Sequence, residues 1–235
     1  QALTLRLLRA ANSAASASAI PIATVRDAIV RLGVRSLLSL AIAVGVQKRM
    51  TQGLPEYGLS EGELWRHSVA SALAIEIMPT LANVPLPPET YTAALLHDVG
   101  KLVMARFLGP DVLGRLAHAR EQGGLCSLTA EREVLHMHHG ELGGLIAQQW
   151  ELPHRIVTAV IHHGTPDLAH DAVADAVHVA NVAAKRAGTG HPATDADRHA
   201  APGALDRLGL SGEDVDELAA RVSAQLEKVL AIYAD

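Results

Sequence analysis

The segment from Arg35 to Met50 is apolar on almost every side, and this sets the strongest limit on the fold. A helix that is hydrophobic all round must be buried among other elements rather than lie at the surface. Its longest apolar run, Ser36 to Val46, is shorter than the roughly 20 residues that a membrane-spanning helix needs. We therefore predict a central, buried helix and no membrane span.

Apolar residues recur at helical spacing along most of the chain, and no segment shows the alternation expected of a strand. Apolar residues make up 49% of the sequence and aromatic residues only 3%, which favours close helix packing over a β-sandwich. We predict an all-α fold with helices over residues 4–11, 24–32, 35–50, 64–78, 89–106, 111–122, 141–149, 153–163, 172–187 and 212–233, together with a helix that ends at residue 135.

A chain of 235 residues is long enough for one large domain or two small ones. We predict a single domain in which residues 1–55 form a small helical lobe and residues 56–235 form a larger one. A polar loop rich in glycine and proline is predicted over residues 188–203. The opening residues, QALTLRLLRAANSA, are typical of a helix already under way, so we expect the first helices to precede Gln1.

The charge and cysteine content exclude some classes of function. A net charge of −5 gives no electrostatic basis for binding nucleic acid or an anionic membrane surface. The single Cys126 cannot form an internal disulfide, which is typical of a reducing compartment. In the absence of a signal peptide we predict a cytoplasmic location.

The stretch AALLHDVGKLVM places His97 and Asp98 inside an apolar run that would normally be core. Imidazole and carboxylate groups are ligands for iron, manganese or zinc. Adjacent residues on a helix do not share a face, so this pair needs a helix end or a distortion, and Gly100 is consistent with one. Further ligands must come from other helices, and the candidates among the 13 histidines are His67, His139, His162 and His163.

A single histidine is more often an ordinary core or surface residue than a metal ligand, and we interpret most of the others in that way. The order of one histidine, an HD pair, one histidine and a histidine pair is harder to obtain by chance. We therefore favour a metal site for this subset, while the occupancy of the site is a separate question.

These residues and their surroundings resemble the HDOD domain, a bacterial signalling relative of the HD superfamily of metal-dependent phosphohydrolases and of the HD-GYP family. The resemblance runs nearly from end to end and implies a helical HD-like domain. It is carried by the segments LTLRLLRAANSA, TVRDAIVRLGVRSLLSLA, LWRHSVASALAIEIM, AALLHDVGKLVM, HHGELGGLIAQQWELPHRIVTAVIHHGTP and DAVHVANVAAKRAG.

The resemblance also implies roles for individual residues. Lys101 matches a lysine that faces a substrate phosphate in hydrolytic relatives, and Asp98 would belong to the catalytic centre. Asn181 falls where those relatives place their last metal-binding aspartate. The implied site would hold one or two ions of iron or manganese, with ligands drawn from His67, His97, Asp98, His139, His162, His163 and Asn181.

Two departures from the hydrolase pattern bear on function. The amide of Asn181 is a poorer ligand than a carboxylate, and the residues after His163 are GTPDLA, with no Gly-Tyr-Pro motif. We therefore expect weak or no cleavage of cyclic di-GMP. The chain is interpreted as a bacterial regulatory module that acts through an unknown signalling protein or senses a metal or nucleotide. The alternative is a metal-dependent phosphohydrolase acting on a nucleotide or cyclic dinucleotide.

Overall fold

The computed structural model describes residues 7–8, 11–12, 21–82, 85–190 and 195–233. Within these residues the regular structure is helical, and the only β-type pairing is an isolated bridge between Leu54 and Leu59. The predicted all-α fold is confirmed. Most of the helix predicted over residues 4–11, and much of the first third of the small lobe, lie outside the described residues.

Eleven α-helices are found in the described part of the chain, joined by short turns and 3₁₀ segments. In chain order they are α1 Val25–Met50, α2 Glu63–Ile77, α3 Glu89–Leu96, α4 Lys101–Met104, α5 Pro110–Glu121, α6 Ser127–Leu135, α7 His139–Gln149, α8 His154–His162, α9 Ala172–Arg186, α10 Pro202–Leu208 and α11 Gly212–Tyr233.

Helices α2 and α9 form the centre of the fold. Helix α2 packs against α3, α9 and α11, and α9 also contacts α8 and α10. Ala180, Ala183 and Ala184 of α9 are fully buried, and their small side chains allow neighbouring backbones to approach closely. Leu95 and Leu96 of α3 are also fully buried, and each such side chain contributes roughly 1.5–3 kcal/mol to folding.

Helix α1 is sharply bent, in agreement with the two separate helices predicted from sequence. Gly33 has φ 78° and ψ 157°, which breaks the helical path. The segments Val25–Val34 and Ser36–Met50 meet at 108°. No single helix among the described residues is long and apolar enough to cross a membrane. These two segments taken together would be, by length and composition alone. The prediction that the segment Arg35–Met50 would be buried on every side is correct for one face only: Leu40, Val44 and Met50 are at most 2% exposed, whereas Leu38 is 60% exposed.

Two further elements differ from the sequence prediction. The helix predicted over residues 89–106 is interrupted, because α3 ends at Leu96 and residues 97–100 form a turn before α4 begins. Helix α10 was not predicted: Pro202 occupies its first turn, where a missing N–H costs nothing, and Gly209 closes it with φ 66°. The predicted loop over residues 188–203 contains the 3₁₀ turn Asp195–Arg198, while residues 191–194 lie outside the described residues.

Candidate metal centre

The turn over residues 97–100, called the HD turn below, is surrounded by side chains from three other parts of the fold. His67 comes from the first half of α2, His139 is the first residue of α7, and His163 directly follows α8. These three histidines, with His97 and Asp98 of the turn, are at most 1% exposed. Residues far apart in sequence therefore meet in one buried cluster.

The Asp98 carboxylate lies at the middle of this cluster, with one oxygen facing each half. Its Oδ2 atom is 3.5 Å from His97 Nε2 and 3.7 Å from His67 Nε2. Its Oδ1 atom is 3.1 Å from His139 Nε2 and 3.8 Å from His163 Nε2. Each half is a group of three ligand atoms that could hold a metal ion, and the two groups share Asp98.

The histidine nitrogens within each half are also close to each other. His67 Nε2 is 3.3 Å from His97 Nε2, and His139 Nε2 is 3.2 Å from His163 Nε2. Two nitrogen ligands that each lie about 2.0–2.1 Å from one metal ion are separated by about 3 Å at ordinary coordination angles. The observed separations therefore fit shared coordination.

In two imidazole rings, the nitrogen that points away from the cluster forms a hydrogen bond that determines whether the nitrogen facing the cluster is protonated. His97 Nδ1 lies 2.7 Å from the Ala94 carbonyl oxygen, and His163 Nδ1 lies 2.7 Å from the Val160 carbonyl oxygen. A carbonyl oxygen only accepts, so Nδ1 must carry the proton in both rings. Burial lowers the pKa of both histidines, and each neutral ring then presents an unprotonated Nε2 to the cluster.

His139 is oriented by a carboxylate that the sequence analysis did not single out. Glu131 Oε2 accepts hydrogen bonds from both the backbone N–H and the Nδ1–H of His139, each at 2.7 Å. Burial opposes protonation of His139, but Glu131 and Asp98 outweigh it, so the pKa of His139 is raised. A metal ligand must present an unprotonated nitrogen, so metal binding at His139 Nε2 would release any proton held there.

His67 is held by a third kind of partner. The Thr189 hydroxyl donates to the Ala184 carbonyl oxygen at 2.7 Å, so its oxygen can accept from His67 Nδ1 at 3.1 Å. Asn181 Oδ1 lies 3.0 Å from His67 Nε2, and this amide oxygen can only accept. Burial lowers the pKa of the ring, and a neutral imidazole carries one N–H, so His67 donates either to Thr189 from Nδ1 or to Asn181 from Nε2. Only the first tautomer leaves Nε2 free to face a cation.

Lys101 supplies the positive charge nearest to the central carboxylate. Its Nζ atom is 2.7 Å from Asp98 Oδ2, and the lysine is only 5% exposed. Burial alone would raise the pKa of Asp98, but Lys101, His97 and His139 hold it well below its usual range. Asp98 is therefore an anion at neutral pH, as a metal ligand must be.

Close backbone packing brings the HD turn against the start of α7. A Cβ atom at Gly100 would overlap the His139 carbonyl oxygen and lie 2.7 Å from the Gly143 nitrogen. His139 is fixed at the first position of α7 by a reciprocal cap, because His138 Nδ1 accepts from the Glu141 N–H and Glu141 accepts from the His138 N–H.

The structure brings most of the site residues predicted from the sequence into one cluster, but not His162. His67, His97, Asp98, His139 and His163 lie together, Asn181 adjoins His67, and Lys101 adjoins Asp98. His162 belongs to neither group of ligands found among the described residues; it is half-buried, and its Nδ1 lies 3.5 Å from Thr165 Oγ1. Glu131 and Thr189 were missed, because neither carries a ligand spacing, although both orient ligands.

An all-α fold built around a buried cluster of histidines and one aspartate defines the class of HD-like domains. Residues 1–166 match the family model of the HDOD domain, so the chain belongs to the HDOD family. The matched region includes the HD turn, His139 and His163, while Asn181 and Thr189 lie beyond it.

Comparison with solved structures shows the same fold. An HDOD domain protein of unknown function from Geobacter sulfurreducens is 24% identical, with a TM-score of 0.62, covering 99% of this chain and 81% of that protein. A protein from Marinobacter aquaeolei VT8, provisionally named a signal transduction protein, is 21% identical with a TM-score of 0.66, covering 98% of this chain and 51% of that one. A protein from Shewanella amazonensis SB2B, provisionally named a phosphohydrolase, is 24% identical with a TM-score of 0.63, covering 99% and 81%.

An uncharacterised protein of Treponema pallidum (strain Nichols) is 25% identical over 167 residues, which is 70% of this chain and 32% of that protein. The chain therefore spans about a third of the length of this relative.

Proposed function

We propose that this chain is a metal-binding regulatory module of signal transduction, whose output is contact with a protein partner. The observation that carries the metal site is the orientation of four imidazoles toward one carboxylate, with the outer nitrogens of His97, His139 and His163 each held by a separate acceptor. Such outer partners are typical of metal-bound histidines, because they fix the tautomer and the ring orientation.

The chemistry of the donor set supports iron or manganese. All the candidate ligands are imidazoles or a carboxylate, apart from the neutral amide of Asn181, and no thiolate takes part. Imidazole suits iron and zinc, and carboxylate suits manganese, whereas soft metals prefer sulfur. His67, His97, Asp98, His139 and His163 would hold the metal, with Asn181 at the edge of the site.

Three features favour regulation over catalysis. The cluster is buried, so a substrate would have to open the fold in order to reach it. Lys101, the residue implied to contact a phosphate, is instead paired with Asp98. The neutral Asn181 stands where hydrolytic relatives have a carboxylate, which weakens the attraction for a cation.

One observation favours the alternative, a metal-dependent phosphohydrolase acting on a nucleotide or cyclic dinucleotide. The two ligand groups share Asp98 through different oxygens, which is how a bridging carboxylate serves a pair of ions. Metal ions in such a pair polarise a phosphoryl oxygen and lower the pKa of water. For that chemistry Lys101 would have to leave Asp98 and face the phosphate.

The test compares wild type with His97→Ala, Asn181→Asp and the exposed control His118→Ala, each supplied with iron or manganese and then dialysed. We expect wild type and His118→Ala to retain metal, His97→Ala to lose it, and Asn181→Asp to retain it more tightly. Circular dichroism of each variant checks that the helical fold is preserved.

Hydrolysis is measured on the same four proteins with cyclic di-GMP and a panel of nucleotides. We expect weak or no product from wild type. Robust turnover that disappears in His97→Ala would replace the regulatory proposal with the phosphohydrolase. Equal metal content in all four proteins would show that the histidines are not a metal site.

A further inference from the structure

A cleft of about 300 Å³ is lined in part by Val99 of the HD turn and by none of the candidate metal ligands. Its walls come from the end of α1, the loop that follows it, α4, and the last part of α7 with Trp150. We call it the α1–α4 cleft, and its principal lining residues are Val46, Arg49, Leu102, Arg106, Ile146 and Trp150.

The cleft combines an apolar floor with basic groups. Val46, Leu102 and Ile146 are half-buried and offer apolar surface, as does the half-buried indole of Trp150. A cavity of this size is at the lower end of the roughly 300–1,000 Å³ that small-molecule sites occupy. The floor therefore suits a small planar ring rather than a large ligand.

Two arginines at this cleft carry charge that the fold does not neutralise. Arg49 and Arg106 are exposed, and neither forms an ion pair or side-chain hydrogen bond with any residue that the structure describes. Glu56 also lines the cleft, so two positive charges face one negative charge. Guanidinium groups bind phosphate through paired N–H donors, which a lysine or a neutral side chain cannot reproduce.

We propose that the α1–α4 cleft binds a small phosphorylated ring compound of the mononucleotide class. The ring packs on Trp150 and the apolar floor, and the phosphate is held by Arg49 and Arg106. Aromatic stacking accepts any flat base, whereas the arginine pair requires the phosphate. The cleft contains no residue of the metal centre, so this binding does not depend on the metal.

The position of the cleft gives such a ligand a route to the signalling function. Val99 and Leu102 line the cleft, and they flank Gly100 and Lys101 in the chain. A ligand that fills the cleft would therefore contact the turn that carries Asp98. The role of the ligand as a regulatory input rests on the proposed function. The proposal that the cleft binds this ligand does not.

Binding is tested by isothermal titration calorimetry of the intact chain with AMP, GMP, CMP and UMP, using guanosine and ribose 5-phosphate as probes that lack one half of the ligand. At least one mononucleotide should bind, and both half-probes should bind more weakly. Arg49→Ala and Arg106→Ala should each weaken binding by about 10–100-fold, because each removes charged hydrogen bonds. Trp150→Leu should also weaken binding, while Arg115→Ala, an exposed arginine on α5, should not.

The same titration with metal-free protein and with His97→Ala separates this inference from the proposed function. Binding that persists in both, with loss in the arginine variants, supports a separate site whatever the fate of the metal proposal. Absence of binding by all four nucleotides, or equal affinity in wild type and both arginine variants, would overturn the inference.

Discussion

The neighbouring histidines at the end of α8, His162 and His163, differ in burial and in the direction of their side chains. His163 is 1% exposed, and its Nε2 lies 3.2 Å from that of His139. His162 points elsewhere, because side chains one residue apart on a helix are separated by about 100°. Only His163 is placed to bind a metal with Asp98.

This difference yields a matched pair of variants. We expect His163→Ala to lose most of its bound metal and His162→Ala to retain the wild-type amount, because only the first removes a nitrogen from the cluster. Metal per chain after dialysis measures the effect. If His162→Ala lost as much metal as His163→Ala, the observed ligand groups would be incorrect.

Glu131 acts on the centre through His139 rather than by direct coordination. Its Oε2 atom accepts from both nitrogen donors of that residue, and it is 2% exposed. Glu131→Gln replaces the anion by a neutral amide, so we expect metal affinity to fall about 10–100-fold, as for other outer partners of metal-bound histidines. A competition titration with a chelator measures this, and Glu133→Gln on the exposed face of the same helix should match wild type.

Most of the site residues could be predicted from the order of histidines and aspartate in the sequence. The residues that were missed, or that could not be told apart, have physical explanations. The HD pair and the flanking histidines carry their chemistry in their residue type and order. The choice between His162 and His163 depends on the rotation of α8, which the sequence does not determine. Glu131 and Thr189 are ordinary polar residues until the fold brings them to the outer nitrogens of His139 and His67.

At the scale of secondary structure, the HD turn can pack closely against α7 because Gly100 has no side chain. A Cβ atom at Gly100 would overlap backbone atoms of His139, which cannot move without shifting α7. Gly100→Ala should therefore cost about 1–3 kcal/mol of unfolding free energy or more, as overpacking does, and should also weaken metal binding.

Gly114 provides the control for this variant. It lies within α5, and a Cβ atom there would meet nothing within 4 Å. Gly114→Ala should stabilise the protein by about 0.5–1 kcal/mol, because alanine is the better helix former. Urea unfolding of both variants gives the comparison, and a neutral Gly100→Ala would contradict the close packing.

The elements themselves were predictable where apolar spacing is long and regular, as in α2, α9 and α11. The break between α3 and α4 was expected from the HD pair and Gly100 as a helix end or distortion, although the predicted helix over residues 89–106 did not place it. The close approach of α7 to Gly100 could not be predicted, because it depends on packing between distant parts of the chain. Helix α10 is only seven residues long, which gives too little periodicity to detect. The exposed apolar side of α1 shows that an all-round apolar pattern does not by itself decide burial.

Across the whole molecule, buried histidines link parts of the fold outside the metal centre as well. His178 of α9 is 7% exposed and donates from Nδ1 to the His163 carbonyl oxygen at 2.8 Å. Its Nε2 accepts from the Ala201 N–H at 2.9 Å, so the ring joins the end of α8 to the start of α10. Both bonds are satisfied together only by the neutral ring.

This arrangement predicts an acid-sensitive contribution to stability. Burial, the largest effect, lowers the pKa of His178 in the folded protein, although its bond to His163 acts the other way. The unfolded chain therefore binds more protons once the pH falls below about 6.5, and folding stability decreases as the pH drops further. The contribution is fully present above that pH, and each proton costs at most about 1.4 kcal/mol per pH unit below it.

Metal-free wild type and His178→Gln, unfolded by urea at about pH 7.5 and about pH 5.5, test this prediction. His67, His97 and His163 also have lowered pKa values, so both proteins should lose stability on acidification. Glutamine retains an acceptor but does not titrate in this range, so the loss should be smaller in His178→Gln than in wild type. Equal losses would show that His178 is not responsible, since the other buried histidines are common to both proteins.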